Sequence, residues 1–310
     1  PGIMSARLIP DRKDRLATIL VAPFMSCSAR LPVYVLLTGL LFRDDPRLGG
    51  LAFTACYLLG AGAALLSALL FRRAVLPGRS RPMVLELPSY KLPSLRTAVL
   101  HALHQARTFL EKAGTVIVAI CIVMWWLSAF PKAEPTPEAA ELRAHAATVA
   151  PGADAEELLA GAEFLDAKHA QAQSYAGRLG RFVEPVFAPL GFDWQLSVGV
   201  LTSFLAREVF VSTMAVLLVG DPDADPAEQG VLAKVSAAQR DDGRPVFFPA
   251  AAASLLVFFV LAMQCLPTLA VTRQETGGAR WALIQLVYMS GLAWIAAFLT
   301  YQGLLMAGWG

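Results

Sequence analysis

Charge is what this 310-residue chain has least of. Only 16% of its residues are Asp, Glu, Lys or Arg, against roughly 25% in an ordinary soluble domain. With 56% hydrophobic residues and a mean hydropathy of +0.54, it cannot wrap a core in a polar surface. A net charge of +2 excludes the basic footprint of a nucleic-acid binder. The sequence has no Gly-x-x-x-x-Gly-Lys-Ser/Thr loop and no Gly-x-Gly-x-x-Gly with a spaced acid, which excludes a recognisable nucleotide site. Cysteine is also scarce. Cys27, Cys56, Cys121 and Cys265 lie in apolar runs without a Cys-x-x-Cys pair, so neither a disulfide framework nor a zinc-finger spacing is present. No cofactor follows from the chain's own motifs, and no covalent chemistry that would make it an enzyme. It opens Pro1-Gly2-Ile3 without Met or a signal peptide, which reads as an internal position of a longer protein.

What is present is a series of long apolar runs. The expected fold is all-α: a polytopic membrane protein with about six hydrophobic segments, two of them broken or re-entrant, plus a helical extracytoplasmic insertion. Residues 1–130 form a first membrane part with a cytoplasmic amphipathic helix, 131–193 the insertion, and 194–310 a second membrane gate with the C-terminal segments. The run 48–71 is uncharged and long enough for a core of roughly 30 Å. Residues 72–112 are the most basic stretch, with Arg72, Arg73, Arg79, Arg81, Lys91, Arg96, Arg107 and Lys112, which places them in the cytoplasm. Leu95, Val99, Leu103 and Leu110 recur there near helical spacing, as in a surface helix. Residues 131–178, rich in Ala, Glu and Pro, fall outside by alternation. Whether 195–219 spans or turns back is left open. Lys plus Arg number three in 220–245 and two in 272–280, too close to separate the two topologies.

Two runs are interrupted. Leu16–Phe42 carries Pro23, then Met25-Ser26-Cys27-Ser28-Ala29-Arg30-Leu31-Pro32; Gln195–Val219 carries Arg207-Glu208 near its middle. A charge at bilayer depth costs roughly 3 kcal/mol on insertion scales. Irregular backbone survives there only when buried in protein or lining a cavity. Paired interruptions point to a transporter's substrate site. Pro23, Pro32 and Pro267 withhold donors from the carbonyls of Ile19, Ser28 and Met263, beside Met25, Ser26, Cys27, Cys265 and Thr268. Thiols and thioethers suit later transition metals, and carbonyls and carboxylates suit harder cations. A site of Cys27, Cys265 and Glu208, with Met25 and Ser26 auxiliary, would fit a borderline divalent ion such as Fe(II). The plainer reading makes each proline a packing kink, each lone cysteine a packing residue, and Arg30 and Arg207 structural partners of backbone carbonyls or of Glu208. His101 and His104, three apart, are read as residues of a basic surface helix rather than as a chelate.

These interruptions also carry a resemblance. Pro23-Phe24-Met25-Ser26-Cys27-Ser28-Ala29-Arg30-Leu31-Pro32-Val33-Tyr34 is similar to the membrane-domain signature of the bacterial ferrous iron transport protein B family. So are Glu86-Leu87-Pro88-Ser89-Tyr90-Lys91-Leu92-Pro93, residues 184–194, Ala206-Arg207-Glu208-Val209-Phe210-Val211-Ser212-Thr213, and residues 265–277 beginning Cys265-Leu266-Pro267-Thr268. The blocks are in family order and span most of the chain except 131–175 and 220–245. The resemblance implies a multi-pass inner-membrane importer of Fe(II) with two gate repeats like those of nucleoside transporters. It implies as partners the lipid bilayer, a GTPase domain in cis or on a separate chain, and a small cytoplasmic accessory protein, with a homo-oligomer also open. GTP and Mg2+ would belong to that GTPase domain, which this sequence does not contain. The family's Gly-Cys-Asn-Val-Pro stretch would end near Pro1, so one gate element is expected to be cut there. The rival functions are a gate-type nucleoside or organic-solute carrier and a non-transporting membrane scaffold.

Overall fold

Helix termini in the computed structural model are set by side chains the sequence places at the boundaries. The structure describes residues 2–43, 45–75, 94–111, 115–148, 153–204, 207, 209–219, 235–236, 238–240 and 243–309. Helix α1 (Arg12–Val21) starts at Asp11, whose carboxylate accepts from the amides of Lys13 and Asp14. After a tight turn at Ala22–Phe24 and extended backbone at Met25 and Cys27, α2 (Leu31–Leu41) resumes with Pro32 in its first turn. Asp45 caps α3 (Pro46–Leu70) through the amides of Arg47 and Leu48. These caps fill donors that a helix start leaves open.

The amphipathic α4 (Leu95–Phe109) and apolar α5 (Thr115–Ala129) follow. The insertion contains α6 (Pro137–Thr148) and α7 (Ala153–Gln173), which pack on each other. Then come α8 (Tyr175–Phe187), α9 (Trp194–Ser203), α10 (Val209–Val219), α11 (Pro249–Leu261), α12 (Leu266–Thr276) and α13 (Ala279–Met306). The all-α fold is as expected from the sequence, with no strand among the described residues.

Four stretches among these residues are long and apolar enough to cross a membrane: Arg12–Leu41, Pro46–Arg73, Pro249–Thr276 and Ala279–Met306. The first is α1–α2 and the third is α11–α12, so two of the four are discontinuous. The run 195–219 is not a broken span. Its halves α9 and α10 pack on each other, with Thr202 and Thr213 hydroxyls 3.1 Å apart. A helix of ten residues reaches only about 15 Å, half a bilayer core. Gly199 makes the close approach feasible, since a Cβ there would lie 2.6 Å from Met214 Cε and 2.8 Å from the Phe210 ring. The second discontinuous helix is therefore 249–276, and 195–219 is a helical hairpin beside it.

Contacts at the two ends of the bundle agree. At one end Arg7 binds Glu275 (Nε to Oε2 2.6 Å). At the other, Arg43 donates to Ser236 at 3.3 Å, Arg240 to the Gly191 carbonyl, and Phe248 meets Tyr301. Residues before and after the hairpin, 191 and 236–240, thus share one end. A full span would have separated them.

Candidate functional site

The first break, Met25–Cys27, is held open by a side chain from its own far side. Arg30 is buried (1% exposed), and its guanidinium donates to the carbonyls of Phe24 at 3.0 Å and Pro23 at 2.9 Å. The carbonyls at the end of α1, one of them freed by Pro23, are also occupied. Gln285 Nε2 on α13 donates to Ile19 O at 2.9 Å and Leu20 O at 3.2 Å, and the Tyr288 hydroxyl donates to Leu20 O at 2.6 Å. Gln285 Oε1 in turn accepts from Thr272 of α12 at 2.8 Å. The freed Ile19 carbonyl is therefore a structural acceptor rather than an open ligand. The sequence reading missed Gln285; the only signal was a carboxamide within the apolar stretch of a long helix.

The second break, Ala262–Cys265, is held from the hairpin. Arg207, at the hairpin tip and 4% exposed, donates to Ala262 O at 3.1 Å and reaches Phe259 O at 3.5 Å. Phe204 O accepts the Leu266 amide at 3.1 Å, and the Phe210 and Phe259 rings pack 4.6 Å apart. Both buried arginines thus act on helix-end carbonyls, the structural role weighed for them from sequence.

The first break and helix α11, just ahead of the second break, both pack against Gly60 in the middle of α3. A Cβ on Gly60 would lie 3.0 Å from Phe24 O, 3.8 Å from Ser26 Oγ and 3.8 Å from Val260 Cγ1. Cys27 and Cys265 both lie within electrostatic reach of the Arg30 guanidinium. Around them the side chains alternate. Met25 is 70% exposed and Cys27 exposed, while Ser26 between them has a buried Oγ. Cys265 is half-buried and Gln264 before it wholly buried. Cys56 is a buried packing residue in α3. Glu208 and Cys121's side chain lie outside what is described, as do Arg79, Arg81, Lys91 and the block 86–93. His101 and His104 are exposed on α4. Among the described residues no group of three His, Cys, Asp or Glu side chains gathers as a metal cluster.

Comparison with known proteins gives two family matches. Residues 110–279 match a gate family described as nucleoside recognition, and residues 53–104 match the ferrous iron transport protein B C terminus. The chain is 38% identical over 308 residues to a Fe(2+) transport protein A/Fe(2+) transporter FeoB fusion protein of Porphyromonas gingivalis, covering 97% of this chain and 36% of that protein. It is 36% identical over 307 residues to the Fe(2+) transporter FeoB of Leptospira biflexa, covering 97% and 40%. To that of Helicobacter pylori strain 26695 it is 32% identical over 307 residues, covering 97% and 46%. The chain therefore spans less than half the length of each of these relatives. No solved structure matches it.

Proposed function

Because the chain belongs to the ferrous iron transport protein B family, as part of its C-terminal membrane region, we propose that it forms the permease of a ferrous iron importer and that Fe(II) crosses between the two helix breaks. The observation that carries this reading is that two discontinuous helices, each with a thiol at its break, pack against the same glycine of α3, Gly60. Cys27 and Cys265 serve as soft ligands, Met25 and Ser26 as auxiliary ligands or pore lining, and Glu208 as counter-charge or hard ligand. A mixed, incomplete shell of sulfur and oxygen suits a borderline cation that must be bound and then released.

The basic end of the bundle, carrying Arg7, Arg12, Lys13, Arg15, Arg72, Arg73, Arg273 and Arg280, faces the cytoplasm of a bacterial inner membrane by the positive-inside rule, and the insertion faces outward. The permease works with a GTPase domain, in cis or on a separate chain, and with a small accessory protein; one relative is a fusion with a Fe(2+) transport protein A. The nucleoside-carrier reading draws on the description of the gate family. The breaks themselves present thiols, hydroxyls and a thioether rather than the aromatic surfaces a base would stack on.

The test is anaerobic uptake of radioactive iron by the full-length protein with expression matched. Cys27→Ala and Cys265→Ala should each lower uptake at least tenfold and Glu208→Gln severalfold, whereas Cys56→Ala should transport normally. Excess nucleoside should not compete. Wild-type rates in all three site variants would refute the ion path and favour a scaffold, and competition by nucleoside would favour the carrier.

A further inference from the structure

A single carboxamide ties the two discontinuous helices together on one side of their breaks. Helix α1 runs into the first break and α12 leaves the second. The Arg7–Glu275 pair puts both half-helices toward the same end of the bundle. They are only ten and eleven residues long, and each has one end at irregular backbone, so their positions depend on what holds them. Gln285, near the start of the continuous α13, is 0% exposed. Its amide nitrogen donates to α1 twice, to Ile19 O at 2.9 Å and Leu20 O at 3.2 Å. Its oxygen accepts from Thr272 of α12 at 2.8 Å, and Thr272 is 0% exposed as well.

Leu20 lies seven residues before Cys27 and Thr272 seven residues after Cys265, so the two half-helices are gripped at matching sequence distances from their breaks. Tyr288 adds a bond to Leu20 O at 2.6 Å and so reinforces the α1 side alone. The halves beyond the breaks, α2 and α11, pack on each other. They are fastened to α13 elsewhere: Ser254 of α11 donates to Ala297 O at 3.1 Å, about 18 Å along α13 from Gln285. A buried polar network with every member paired fixes one arrangement. The arrangement fixed at Gln285 is the register of two helices rather than the fold of one.

We propose that Gln285 is a positioning residue for the ion path. Through Thr272 on one side and the Ile19 and Leu20 carbonyls on the other, it clamps α1 and α12 into one body and so sets the register of the two breaks relative to each other. Its role in transport rests on the reading of the chain as a permease; the clamp itself does not. A misplacement of about 1 Å is enough to weaken a site built from groups on separate elements. Loss of the clamp therefore acts on the grip on the ion, not only on stability.

Two measurements on the full-length protein test this. Backbone hydrogen exchange, resolved by peptide, reads the clamp. Q285M should speed exchange at least fivefold in both 17–27 and 266–276. T272V should do so in 266–276 alone, Y288F in 17–27 alone, and T272S in neither. Anaerobic iron uptake, normalised to folded protein, reads the path. Q285M and T272V should each raise the KM for Fe2+ at least fivefold with Vmax within twofold, and T272S should match the wild type in both. A lower Vmax at unchanged KM, or exchange that rises equally throughout the molecule, would mark lost stability alone and overturn the positioning role. Wild-type behaviour of T272V would overturn it too. Should Q285M not fold, the comparison of T272V with T272S decides. The expected exchange pattern in a protein whose wild type imports no iron would refute the permease reading and leave the clamp in place.

Discussion

Two buried guanidiniums do at the residue scale what water does for a helix end on a surface. Arg30 and Arg207 each satisfy carbonyls that a break strands in an apolar interior. A stranded buried acceptor costs about 1–3 kcal/mol. Arg30→Met leaves the carbonyls of Pro23 and Phe24 without their donor and should destabilise the protein by roughly 2–4 kcal/mol, seen as a lower melting temperature in detergent. Arg30→Lys should recover only part of this, because one ammonium does not reproduce the planar fork. Arg47→Met, at an exposed position, should stay within about 0.5 kcal/mol of wild type. Sequence reasoning could name both arginines and expect backbone carbonyls as partners, since an intramembrane charge demands one. It could not say that Arg30 acts within its own segment while Arg207 reaches across to another, because that depends on the hairpin placing its tip against Ala262.

At the scale of elements, interruptions were legible and pairings were not. Asp11, Asp45 and Asp193 cap helix starts in the structure, which the apolar runs alone did not mark. The insertion expected to be helical contains α6 and α7. The hairpin was not legible, because hydropathy registers a run of apolar residues and not the direction in which it returns. Thr202, Thr213 and Gly199 carry that information only once they face one another. In the insertion, the Asp166 carboxylate accepts from the Thr136 amide at 2.8 Å and pairs with Arg143 at 2.6 Å. Chiefly through the Thr136 amide, its carboxyl is held below the ordinary value. A depressed folded value means that this stabilisation is complete above the unfolded carboxyl pKa of about 3.9 and is lost as pH falls through the folded one. Asp166→Asn should therefore lower the thermal stability of the insertion at pH 7, and the gap to wild type should close below about pH 4, followed by circular dichroism. A gap that persists into acid would assign the effect to packing.

For the molecule as a whole, the exposed surface is apolar where a globular protein would be polar. Leu51, Leu58, Leu65 and Leu66 on α3 and Leu283, Val287 and Leu299 on α13 are all more than half exposed, while Cys56 and Gly60 on α3 and Met289 and Ala293 on α13 are buried. Composition announced a membrane protein, and this arrangement shows which sides of the helices meet lipid. The orientation can be checked directly. In intact cells, cysteines introduced at Gly161 and Ser236 should react with an impermeant thiol reagent, and one at Gln274 should not. Protection of Ser236 with labelling of Gly161 would require the hairpin to be a full span; the reverse pattern throughout would invert the molecule.

The Arg7–Glu275 pair and the Gly191–Arg240 contact have a consequence for parity. The strand of chain that leaves the hairpin does so on the side it came from, so the hairpin adds no crossing. Arg7 and Tyr301 accordingly lie at opposite ends of the bundle. In the membrane arrangement proposed above, anything joined ahead of Arg7 meets one redox environment and one pool of nucleotides, and anything joined beyond Tyr301 meets the other. In the orientation proposed above, a regulator reading cytoplasmic iron could be fused at the leading side alone.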